Sequence, residues 1–127
     1  MGVLDYANTM AKLKLTIVLD SGARVGPGKV ALLESIQQTG SISAAARSMG
    51  MDYKRAWLLL DSLNQAFDEP VLAAATGGTK GGGAQLTTFG AELLERYRRV
   101  EAMASEGAKD DLVFLAGRAR PEIGTKV

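Results

Sequence analysis

Two closely spaced helical segments hinged on a glycine, a strand–glycine loop–strand run directly after them, and a long periodic helix beyond predict the fold class of this sequence. It is mainly α with a small β-sheet, in the order of a winged helix-turn-helix.

Residues 1–11 carry no clear period. "KLKLTIVL" (12–19) alternates: Leu13, Leu15, Ile17 and Leu19 point one way, and Lys12, Lys14 and Thr16 the other. That pattern predicts a half-buried strand. "DSGARVGPG" (20–28) is turn chemistry. Pro27 suits a first helical turn, Val30, Leu33, Ile36 and Gln37 follow at helical spacing, and Gly40 supplies a stop, so a helix is expected over 27–39. Ser43 is the expected N-cap of a short helix from Ala44 to Met49, which Gly50 ends. Asp52 is expected to cap a second helix that runs to about Phe67, with Ala56, Leu59, Leu60, Leu63 and Phe67 as its apolar stripe. "PVLAAAT" (70–76) and "AQLT" (84–87) are short strands of a hairpin. Thr88 is the expected cap of the last long helix, in which Phe89, Leu93, Leu94, Tyr97, Val100 and Ala104 recur at helical spacing and which Gly107 ends. The domain is expected over 1–107, with 108–127 as a tail.

The 127 residues suffice for one domain, and the formal net charge of +1 means that any basic surface comes from placement rather than excess. With no cysteine and no histidine, a Cys/His zinc site, a cysteine nucleophile and any histidine-dependent triad are excluded. Asp61, Asp68, Glu69, Glu92 and Glu95 read as solvated helix faces, with no base–nucleophile set, so no enzyme, metal or cofactor is expected. No apolar run approaches the roughly 18 residues of a membrane span. "MGVLDYANTMAKLKL" lacks the layout of a secretory signal, so a soluble, cytoplasmic protein with no membrane partner is expected.

The segment 42–61 fits helix-turn-helix geometry. Ala46 is small where the helices cross, Gly50 takes the turn, and Ala45, Met49, Met51, Ala56 and Leu59 supply the inward faces. The plain alternative is a helical hairpin within a core. The second helix presents Tyr53, Lys54, Arg55 and Trp57 in its first turns, where a recognition helix meets base edges. Arg55 and Lys54 suit guanine or phosphate, or form a solvated face. Trp57 is either a core anchor or a groove contact. The hydroxyls of Ser41 and Ser43, near a helix N-terminus, suit a phosphate.

"TGGTKGGGAQLT" (76–87) lacks the G-K-[ST] order of a Walker A loop and leads into a strand rather than a helix. It reads as the tip of a wing. Thr76, Gly77, Lys80 and Gly82 then lie against a DNA strand, with glycine backbone and the lysine offered to phosphate. The plain alternative is a flexible hairpin tip.

"GSISAAARSMGMDYKRAWLLLDSLNQAF" followed by "ATGGTKGGGAQLTTFGAELLERY" resembles the N-terminal DNA-binding domain of the ModE family, the molybdate-responsive transcription regulators. The resemblance covers roughly 13–105 and rests on four motifs in order: "GSIS", "YKRAW", the glycine wing and "LT.FG". More distantly the segment is similar to LysR-type winged domains. The resemblance implies a homodimeric regulator of transcription that binds double-stranded DNA, with Tyr53, Lys54 and Trp57 on the recognition helix and 76–83 as the wing. It also implies that the last helix, near 89–106, contributes to the dimer. Independently, the apolar stripe Phe89, Leu93, Tyr97, Val100 and Ala104 is longer than a domain this small needs for its own core, so part of it is expected to bury against a second copy. Two departures stand out. The family carries C-terminal molybdate-binding domains, and the segment after the last helix here is too short for one, so this chain is not expected to bind molybdate. "AA" also stands before the wing where the family often has a basic residue.

The leading expectation is a stand-alone ModE-like DNA-binding regulator. The near-neutral charge keeps a second class open: a winged-helix interaction module that binds a protein or a small oxyanion.

Overall fold

The computed structural model describes residues 11–74 and 83–120. These fall into two compact units: Leu15–Arg98 without the wing tip, and the pieces 11–14 and 99–120.

In the first unit the order is β1 (Ile17–Val18), β2 (Arg24–Val25), α1 (Pro27–Thr39), α2 (Ile42–Ser48), α3 (Tyr53–Ala66), β3 (Leu72–Ala74), β4 (Ala84–Leu86) and the start of α4 (Thr88–Gly107). This is the winged helix-turn-helix order the sequence predicts. The long strand over 12–19 is shortened to β1. Its inward–outward alternation persists, with half-buried odd positions and exposed even ones. A tight turn at Gly22, where φ is 95°, folds the chain back so that Ile17 pairs with Val25 and Val18 with Arg24. Part of the expected turn is thus strand, and Val25 enters the core.

Helix α1 starts at Pro27 and stops at Gly40, whose left-handed φ of 74° lets its N–H donate to the Ile36 carbonyl. Val30, Leu32, Leu33 and Ile36 are buried, whereas Gln37, expected on the inward stripe, faces solvent and Leu32 does its work. The short helix begins earlier than expected. Ser41, not Ser43, is its N-cap: the Ser41 hydroxyl accepts from the Ala44 N–H at 3.0 Å. Thr39 holds Ser41 in place, because its hydroxyl accepts from the Ser41 N–H and lies against the Ser41 carbonyl. Thr87 rather than Thr88 caps α4, accepting from the Gly90 N–H at 2.9 Å and donating to the Pro70 carbonyl.

The hairpin pairs Leu72 with Leu86 and Ala74 with Ala84. Its return strand is tied to the helix-turn-helix: Ala84 N–H donates to the Gly40 carbonyl, and Ser41 bridges Gly83. Asn64 of α3 accepts from the Val71 and Leu72 N–H groups and fixes the other strand. The core is Val25, the buried residues of α1, Ala45, Ala46, Ala56, Leu60, Leu63, Val71, Ala84, Leu94 and Tyr97.

In the second unit the end of α4 is followed by α5 (Lys109–Arg118). The tail expected from 108 is therefore helical over that stretch, and none of its side chains is buried. Among the described residues no helix is long and apolar enough to cross a membrane.

Candidate nucleic-acid interface

The turn between α2 and α3 decides what α3 presents. Gly50 has φ 67°, its N–H donates to the Arg47 carbonyl, and the Met51 N–H donates to the Ala46 carbonyl. These two bonds are the Schellman closure of a helix, and they need a residue that accepts positive φ. Asp52 then caps α3 by accepting from the Arg55 N–H at 2.8 Å. Ala45 and Ala46 of α2 and Ala56 of α3 are all buried in the same core, so both helices offer small side chains to it. Met49, Met51 and Leu59 pack half-buried around that crossing, as their positions predict.

With Ala56, Leu60 and Leu63 turned inward, the other faces of α3 are fixed by the helical period. Tyr53 and Trp57 lie on one flank, 53% and 46% exposed. That settles Trp57: it is not a core anchor. Lys54 and Leu58 follow on the outermost line, and Arg55 lies on the far flank. Lys54 and Arg55 are exposed, and neither forms an ion pair with a described residue. Leu58, 52% exposed, was not among the expected site residues. Its signal was its place one turn after Lys54, where a leucine is ordinarily read as core.

Ser41 is spent on capping, which takes up an oxygen lone pair but not its proton. Ser43 is exposed on the first turn of α2. Thr76, Gly77, Lys80 and Gly82 lie outside the described residues, while the base of their hairpin is set against α2 by the Ser41–Gly83 bridge. Among the described residues no cluster of acidic side chains is placed to hold a metal ion.

The expected dimer stripe divides. Phe89 stacks edge-on against Phe67 with ring centroids 5.3 Å apart, and Leu93 packs half-buried on the same core. Tyr97 is 1% exposed, and its hydroxyl donates to the Leu15 carbonyl at 2.6 Å. Its ring is covered within one chain and leaves no surface for a partner. Val100 is 43% exposed, and Met103, not singled out in the sequence, 67%. Periodicity marks an apolar face but not what covers it.

No family model matches the chain. It is 49% identical over 87 residues to the molybdenum-pterin-binding protein MopB of Rhodobacter capsulatus, covering 68% of this chain and 32% of that protein. It is 38% identical over 108 residues to the transcriptional regulator ModE of Yersinia pestis, covering 83% of this chain and 41% of that one. Over about 70–80% of its length, its sequence is similar to the N-terminal region of ModE-type proteins. The DNA-binding transcriptional dual regulator ModE of Escherichia coli K12 is 35% identical over 104 residues, 80% of this chain and 40% of the relative. The chain thus spans well under half the length of these relatives. Among solved structures, the DNA-binding domain of CbnR in a complex with DNA superposes with a TM-score of 0.54 at 21% identity, over 72% of this chain and 97% of that one. At that identity the likeness is one of fold.

Proposed function

We propose that this chain is a sequence-specific DNA-binding regulator of transcription that inserts α3 into the major groove. The observation that carries the reading is the outer face of α3. Two cations without an ion-pair partner among the described residues, Lys54 and Arg55, stand beside the exposed Tyr53, Trp57 and Leu58, on a helix whose opposite face is locked in the core. Arginine and lysine suit guanine edges and phosphates, and apolar side chains suit thymine methyls. Ser43 at the start of α2 and the wing residues Thr76, Gly77, Lys80 and Gly82 join the interface in this reading, the wing residues on the strength of the sequence alone. Relatives named as transcriptional regulators support it.

The chain acts as a dimer in this reading. The partner covers Val100 and Met103 of α4 and the apolar residues of α5, which the chain itself leaves exposed. A two-fold dimer calls for an inverted repeat with half-sites about one helical turn, or a multiple of it, apart.

Selection of bound duplexes from a randomised pool, followed by titration of the selected and a scrambled duplex at two salt concentrations, tests the proposal. A selected duplex bound at least tenfold more tightly than the scrambled one is the expected result. Equal, weak binding of both overturns it.

A further inference from the structure

Beside α3, on the flank away from Trp57, lies a shallow cleft of about 570 Å³. Lys54, Arg55, Leu58, Leu59 and Ser62 of α3 line it, together with Lys29 from the first turn of α1. Asp52 is the acidic residue in the lining, and its carboxylate is engaged in capping α3. Three cations therefore face one carboxylate already accepting a backbone N–H. Lys29 is the cation held from a second element. Its ammonium donates to the Arg24 carbonyl at 3.0 Å, and of its three N–H groups the others stay available. No described residue pairs with it as an anion.

We infer that Lys29 is a DNA-positioning residue that contacts a phosphate of the strand running along the Arg55 flank of α3. The inference rests on the proposed placement of α3 in the major groove. There the line of Lys54 and Leu58 faces the base edges, and the two flanks of the helix face the two phosphate backbones that wall the groove. Arg55, Leu59 and Ser62 share one flank of α3 and line the same cleft as Lys29. A charge held from a different helix, on a cleft it shares with that flank, is placed to meet backbone rather than bases. Its role is to fix the depth and register of α3, not to read sequence. The bond to Arg24 holds the ammonium in place before DNA arrives, so less side-chain freedom is lost on binding.

The test uses Lys29→Gln, which keeps a donor for the Arg24 carbonyl and removes the charge, and Lys29→Arg, which keeps the charge. Lys109→Gln, on α5, controls for the loss of one positive charge. Affinity is measured against salt for the selected and the scrambled duplex, with melting curves confirming that each variant is folded. In Lys29→Gln the slope of log affinity against log salt should flatten by about 0.9 per bound chain. The ratio between the two duplexes should be unchanged, and Lys29→Arg should restore the slope. An unchanged slope in Lys29→Gln, an equal flattening in Lys109→Gln, or a lost preference for the selected duplex overturns the inference. If Lys29→Gln binds as the wild type does while Lys54→Ala binds weakly, only the role of Lys29 falls and the groove placement stands. A wild-type chain that binds neither duplex removes both.

Discussion

Two helices of this protein, α3 and α5, leave large apolar side chains in solvent, and they do so on different terms. On α3, Tyr53, Trp57 and Leu58 are exposed while Ala56 and Leu63 on the opposite face are 0% exposed and Leu60 2%. On α5, Val113, Phe114 and Leu115 are 40%, 60% and 61% exposed, and no residue of the helix is buried. The first is a face held rigidly by a core. The second is a helix supported by local chemistry: Asp110 and Asp111 in its first turn and Arg118 in its last oppose the helix dipole, and the Arg118 guanidinium lies 5.3 Å from the Phe114 ring centre. On local support of that kind alone, a ten-residue helix is marginal in water. In the proposed reading, the exposed apolar surface of α3 meets DNA and that of α5 meets a second copy of the chain.

The contrast breaks most visibly from the side of the core. Leu63→Ala empties a fully buried site behind the α3 face, and is expected to cost about 2–5 kcal/mol of stability by denaturant titration. Gly90→Ala attacks the same unit differently. A methyl there would meet the Val71 carbonyl oxygen at 2.1 Å, backbone that cannot swing aside, so a loss of about 1–3 kcal/mol or more is expected. A Gly90→Ala protein as stable as the wild type would mean that α4 and the strand entry do not pack this closely.

Lys54→Ala and Arg55→Ala probe the outer face of α3 rather than the core behind it. Each should weaken binding to the selected duplex by about 1–3 kcal/mol where a base contact is lost, with the melting temperature nearly unchanged. Undiminished affinity in both variants would take α3 out of the groove.

Tyr97→Phe removes the hydroxyl that joins α4 to the Leu15 carbonyl and keeps the buried ring. A loss of about 0.5–1.5 kcal/mol is expected, with no change in oligomeric mass, because the ring is covered within one chain. A shift in mass would return Tyr97 to the dimer contact.

The smallest effect on the fold belongs to α5. Phe114→Ala should alter the stability of a single chain by no more than about 0.5 kcal/mol, as exposed substitutions do. It should nevertheless shift sedimentation toward the monomer. A wild-type chain that sediments as a monomer at micromolar concentration, alone and on DNA, sinks the proposed dimer.

Much of the helix-turn-helix was legible because its constraints are local. Gly50 and Asp52 act on atoms within a few residues of themselves, and Ala45, Ala46 and Ala56 follow the helical period. The misplaced caps are local errors of the same kind. At the start of α2 two serines compete, and Thr39 decides for Ser41 by holding its backbone. Before α4 two threonines compete, and the strand entry decides for Thr87, whose hydroxyl donates to the Pro70 carbonyl. Lys29 had no such signal, because its neighbours Lys54 and Arg55 come from a helix distant in the chain.

The sequence by itself determined the order of the elements from α1 to α4, the stops at Gly40, Gly50 and Gly107, and most of the inward faces of α1 to α3, with Gln37 and Leu32 the exceptions. Backbone torsion and apolar period act over a few residues and need no partner to be read. Only the tertiary structure decided which apolar residues were covered. Tyr97 and Trp57 are both aromatic, both on a helical stripe and both candidates for a surface. Yet Tyr97 is sealed beneath the chain at Leu15, and Trp57 stands out beside Lys54. Burial depends on what arrives from elsewhere in the chain, and that follows from how the helices and strands pack, not from the residues adjoining each aromatic.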